Sequence, residues 1–153
     1  MELKKIFIFF LFINFASNLN AEILKPDNKF TPYDVVKIQL NALKNNDNLK
    51  KDLGIKQVWL FAHPENKKIT GPYNRFRAMI FGDQYRHLLN HTSHKINLVM
   101  NTANKYIYKV NILTMDKQIF VYEWHLIKGS DLQCKDCWFT SSVSMPFNQG
   151  NTI

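Results

Sequence analysis

Cys134 and Cys137 stand two residues apart in "LQCKDCWFTSSV" and are the only cysteines of the chain. A Cys-x-x-Cys pair supports redox chemistry when its first sulfur sits at a helix N-terminus, where aligned amide dipoles favour the thiolate. Here "WFTSSV" follows, a strand-forming run, so that dipole is missing. The pair can be a disulfide, two free thiols or a redox centre, and a disulfide is the leading reading for an exported chain. A zinc ribbon would need a second Cys-x-x-Cys, which the chain lacks.

"RHLLNHTSH" holds His87, His91 and His94. On a helix, His87 and His91 would lie one turn apart, with His94 swinging in from the following loop. Three neutral imidazoles suit zinc or copper. Leu88 occupies the place where a metalloprotease motif carries its glutamate base. The alternative is that His91 makes a buried hydrogen bond at the helix end while His87 and His94 are solvated. Among acids in the strand-forming half, Glu123 alternates away from Tyr122 and Trp124, and Asp116 falls in a turn. Asn90-His91-Thr92 is formally a glycosylation sequon, of consequence only in a glycosylating export pathway.

The elements that must position these residues come in two halves. "TPYDVVKIQLNALKNND" has Thr31 as N-cap, Pro32 at the first helical position and Val36, Leu40 and Leu43 on one face, so a helix is predicted. "GIKQVWLFA" reads as a short buried helix, "HPENKKITGP" as a loop, and "PYNRFRAMIF" as a helix with Phe76, Met79 and Ile80 inside. Gly82 ends that helix, and Asp83 can cap a further short one, "QYRHLLN". After His91 the pattern turns β-branched and aromatic. "HKINLVMN", "KYIYKVNILTM", "QIFVYEWHLIK" and "WFTSSVSM" are predicted as strands, the first three joined by the short connections "TANK" and "MDK". Residues 146–153 read as a loose tail. Helices followed by a strand meander predict an α+β fold, helices on one face of an antiparallel sheet.

Met1–Lys5 carries two lysines, Ile6–Phe15 is uncharged and apolar, and small or polar residues follow to Ala21. That order reads as a signal peptide over 1–21, too short in its apolar core to span a bilayer, with an uncleaved anchor as the alternative. Residues 22–30 form a lead-in and 31–145 a single domain. The expected location is periplasmic or secreted, with no membrane-embedded segment after cleavage. The formal charge of +8 falls to +7 without Met1–Ala21, which takes away two lysines and one glutamate. The remaining lysines are scattered in runs of at most two, a solvated surface rather than a nucleic-acid footprint.

Taken together, "PYDVVKIQLNALKNND", "GIKQVWLFAHPENKKITGP", "YRHLLNH", "VYEW" and "CWFTSSV" resemble the domain-of-unknown-function family 4864. The resemblance runs from Thr31 to about Val143. It implies a variant of the nuclear transport factor 2-like fold: N-terminal helices closed by a curved four-stranded antiparallel sheet, in a superfamily whose sheets often pair as homodimers. It carries no catalytic residue over to this chain.

Such a cone would gather Trp59, Phe61, Tyr85, Tyr122, Trp124 and Trp138 near its mouth, with Arg75 as an anion-binding fork. The alternative makes the aromatics core filler and pairs Arg75 with Glu123 or Asp83. The functional expectation is a cofactor-free, non-catalytic module holding a small ligand or a partner segment, with Arg75, Tyr85, His91, Tyr122 and Trp124 as ligand-binding residues. The alternatives are a small enzyme using His91 or Glu123 as base, and a metal-binding protein built on His87, His91 and His94.

Overall fold

The computed structural model describes residues 23–48, 50–129 and 134–151, so the leader-like segment lies outside the described residues. Helix α1 (Pro32–Lys44) starts as its sequence demands. The Thr31 hydroxyl accepts from the Asp34 amide at 3.1 Å, and the Asp34 carboxylate accepts from the Thr31 amide at 2.9 Å, a reciprocal capping box. Val35, Val36, Leu40 and Leu43 are fully buried, and so is Gln39 beside them.

Helix α2 (Leu53–Phe61) crosses α1 at very close range. A Cβ added to Gly54 would lie 2.2 Å from the Ala42 carbonyl oxygen, so only glycine allows this approach. The Asp52 side chain makes no cap for α2. Instead the buried Asn46 carbonyl accepts from the Ile55 amide at 3.0 Å, while Asp52 pairs with Arg77 at 2.7 Å.

"HPENKKIT", expected as loop, forms helix α3 (Pro64–Thr70). His63 caps it through Nδ1, Pro64 stands at the first turn and Gly71 ends it at φ 82°. It buries none of its residues, so no apolar stripe announced it; only its end signals did. Helix α4 (Tyr73–Phe81) buries Phe76 and Ile80 as expected. The further helix expected over "QYRHLLN" shrinks to one 3₁₀ turn, Arg86–Leu88, where Asp83 pairs with Arg86 at 3.4 Å and makes no cap.

Strands β1 (Ser93–Asn101), β2 (Lys105–Leu113), β3 (Gln118–Lys128) and β4 (Trp138–Val143) form the expected antiparallel meander, in that spatial order. Register places Tyr108 opposite Trp124, Val110 opposite Tyr122 and Ile112 opposite Phe120, and these six side chains bury together under the helices. Irregularities at Leu98/Met100 and His125/Leu126 are of the kind that bend strands. The protein is therefore α+β, with four α-helices among the described residues on an antiparallel sheet.

One expectation about the C-terminus is corrected. Phe147–Asn151 is a short fifth strand, β5, rather than a loose tail. β4 pairs only Trp124–Lys128 of β3, which leaves Gln118–Val121 with an open edge, and β5 fills it. Phe147 is exposed, and backbone pairing with β3 holds the strand there.

Candidate functional site

Between the helices and the far end of the sheet lies a cavity of about 260 Å³. Val58 of α2, Phe76, Met79 and Ile80 of α4, and Leu43 of α1 supply its apolar walls. Trp124 and Thr140 form the sheet side, Tyr85 and Leu88 close one flank, and Asn66, Ile69 and Thr70 of α3 stand opposite Ser142 and Val143. Ile69 is 78% exposed, which marks the mouth. Among the described residues the lining contains no carboxylate, imidazole, amine or guanidinium.

The polar groups in this wall differ in what they have left to offer. The Thr140 hydroxyl is engaged: it accepts from Trp124 Nε1 at 3.1 Å and from Gln39 Nε2 at 2.8 Å, and lies 3.1 Å from Gln39 Oε1, to which it donates. Tyr85 donates to the Val143 carbonyl at 3.2 Å, and burial raises its pKa, keeping the hydroxyl protonated. Asn66 Nδ2 donates to the Thr140 carbonyl at 3.4 Å, while Asn66 Oδ1 accepts no hydrogen bond among the described residues. The Ser142 hydroxyl at the exposed rim has no side-chain partner there either. A ligand in this cavity thus meets mostly hydrocarbon, one free carbonyl and one free hydroxyl.

Of the five residues expected to bind ligand, Tyr85 and Trp124 line the cavity. Tyr122 lies behind Tyr85 as support, fully buried, its hydroxyl donating to the Gln84 carbonyl at 2.9 Å and its pKa raised by burial. Arg75 does not line this cavity: the helical phase that buries Phe76 and Ile80 turns Arg75 to solvent, where it makes no ion pair with Glu123, Asp83 or any other described residue. His91 lies outside the lining of this cavity, and both its nitrogens are used. Nδ1 lies 2.7 Å from the Leu88 carbonyl and so carries the proton, which leaves Nε2 to accept from His94 Nδ1 at 2.8 Å. Burial, against the raising effect of the Leu88 carbonyl, brings His91 down to about 4.

The histidines do not converge. His87 stacks on Phe120 with ring centres 3.7 Å apart, away from a shared point with His91 and His94. Among the described residues no three His, Cys, Asp or Glu side chains are placed to hold a metal ion. His94 is not simply solvated, since it donates to His91. Glu123 is exposed, as its alternation implied, and faces His125 at 3.3 Å. Trp59 packs on Tyr73 and Phe76, Phe61 on Phe30 and Trp138 on Tyr106; Phe61 and Trp138 are core aromatics and Trp59 is half-buried against the core. Asn90 of the sequon is exposed and donates to Asp47 at 3.1 Å.

Cys134 and Cys137 are joined as a disulfide, before β4. Among the described residues no helix is long and apolar enough to cross a membrane.

Sequence reading missed Asn66, Thr140 and Ser142. Asn66 sits on the helix taken for a loop, and period-two alternation in "WFTSSV" would have put Thr140 and Ser142 on the face shared with the aromatics. No family model, curated protein or solved structure matches this chain.

Proposed function

We propose that this chain is an exported, non-catalytic binding module of the nuclear transport factor 2-like kind, holding a small neutral, largely apolar molecule between its helices and sheet. The observation that carries the reading is the cavity itself: about 260 Å³, apolar, and lined by no strongly ionisable side chain. General acid–base catalysis needs a titratable group at the reacting atoms, and among the described residues Tyr85, held protonated, is the one such group in the wall. The order of helices on an antiparallel sheet supports the fold assignment, and the leader-like residues 1–21 with the joined cysteines support export.

The ligand's class follows from the wall. A dry apolar cavity of about 150 Å³ accepts benzene, so this one has room for a larger monocyclic or short-chain molecule. Asn66 Oδ1 would accept from a ligand hydroxyl or amine, and Ser142 would donate to a carbonyl or ether oxygen. With Arg75 outside the wall, nothing there favours an anion.

Native mass spectrometry of protein purified from its own host, together with ligand-observed NMR against a panel of neutral aromatic and aliphatic alcohols and ketones, tests the proposal. A bound neutral molecule, lost in Ser142→Trp, is the expected result. If nothing co-purifies, no panel member saturates a site and some substrate is turned over, the binding-module reading fails.

A further inference from the structure

We propose that the Cys134–Cys137 disulfide is a thiol–disulfide exchange site whose co-reactant is a small thiol bearing carboxylates. The proposal is independent of the apolar cavity. The two sulfurs differ in access: Cys137 is fully buried, whereas Cys134 is half-buried and lines a second, open depression of about 420 Å³. Thiolate attack needs an open line of approach to one sulfur, and here only Cys134 offers it.

Two lysine side chains border the same depression. Lys25 and Lys67 line it together with Cys134 and Phe139, and neither lysine has an ion pair among the described residues. Among the described residues Asp27 pairs with Lys29 at 3.3 Å, Glu65 with Lys68 at 2.6 Å and Asp136 with Lys128 at 3.4 Å. Lys67 lies 5.3 Å from the Trp59 ring centre, and burial lowers its pKa. A partly desolvated cation without a counter-ion attracts an anion more strongly than a solvated one. The depression thus pairs an accessible sulfur with positive charge, the environment that stabilises a thiolate and draws in an anionic thiol.

The exchange balances in two steps. The incoming thiolate attacks Cys134 Sγ; the Cys134–Cys137 bond breaks, and its electron pair leaves on Cys137 Sγ, which takes a proton from water. A second thiolate then attacks the small molecule's sulfur in the mixed disulfide. Cys134 departs as a thiolate and the two small thiols leave as their disulfide. Two small thiols are oxidised and the protein disulfide is reduced; the reverse sequence oxidises the protein.

The oxidised protein is mixed anaerobically with reduced glutathione as the anionic probe, and in parallel with cysteamine as a cationic one. Samples are quenched in acid and mapped by peptide mass, with each rate divided by that thiol's thiolate concentration. The expected adduct lies on Cys134 alone, and Cys137→Ser captures it stoichiometrically from oxidised glutathione. Glutathione is expected to react about tenfold faster than cysteamine, and Lys25→Gln with Lys67→Gln to erase that preference without slowing cysteamine. Adduct on Cys137, absence of adduct in both formats, or an unchanged preference in the double lysine variant overturns the proposal.

Discussion

Removing one hydroxyl, in Thr140→Val, tests the polar node that joins α1 to the sheet beneath the cavity. Valine keeps the volume of threonine, so packing is nearly conserved and the loss is one of hydrogen bonds. Thr140 is 2% exposed, Gln39 0% and Trp124 1%, so the groups left behind are dry. Without the hydroxyl, Trp124 Nε1–H loses its acceptor and Gln39 Oε1 loses its donor, while Gln39 Nε2 keeps the Val35 carbonyl at 3.1 Å. Each buried polar group left unpaired costs about 1–3 kcal/mol. We expect Thr140→Val to destabilise by about 2–4 kcal/mol, a fall in Tm of roughly 8–16 °C for a domain of this size. Urea and thermal unfolding of wild type, Thr140→Val, Gln39→Leu and the double variant form a cycle. Because the double variant orphans only the indole N–H, it should cost less than the two single variants together, by at least about 1 kcal/mol. A Thr140→Val protein within about 0.5 kcal/mol of wild type, or strict additivity, refutes the reasoning; the node would then be relaxed by rearrangement or by water entering the cavity.

Gly54→Ala should destabilise by about 1–3 kcal/mol despite alanine's better helix propensity, because its Cβ would meet the Ala42 carbonyl; chemical denaturation measures this. His91 has a folded pKa of about 4 against an ordinary value of 6.5, so between those values the unfolded chain binds the extra proton and stability falls on acidification. Across that window the loss approaches about 3 kcal/mol, and a His91→Gln variant should show a flatter pH–stability curve. Thr31→Ala removes the hydroxyl half of the α1 capping box and should cost about 1 kcal/mol by the same assay. Reduction of Cys134–Cys137 should lower stability by at most about 2 kcal/mol, since the closed loop is so short; melting with and without reductant checks it.

How far the residues disclosed the fold varied with the range of the forces involved. The α1 cap, the apolar stripes of α1 and α4, and the four-strand meander all follow from neighbours in the chain, and those are where reading succeeded. Helix α3 buries nothing and β5 is held by backbone pairing, so neither writes a periodic pattern of side chains. The candidate site was legible only in part. Tyr85 and Trp124 reach the cavity, but Arg75, which looked suited to a ligand by type alone, points outward. Gln39, a polar residue on the apolar stripe of α1, is buried because it meets the Thr140 hydroxyl of the sheet, which Trp124 also engages.

By itself, the sequence determined helices α1, α2 and α4 and the four strands of the meander, that the cysteines stand within bridging reach, and that Glu123 cannot share a face with Trp124. These depend on local capping, alternation and chain geometry, interactions of a few residues' span. Tertiary structure alone decided which polar groups are satisfied and which are left open. Thr140 spends its hydroxyl on residues 101 and 16 positions away, His91 spends both nitrogens, and Asn66 and Ser142 face a cavity whose walls come from every helix. Whether a side chain is free to act depends on partners that arrive from distant sequence, and no local pattern encodes their arrival.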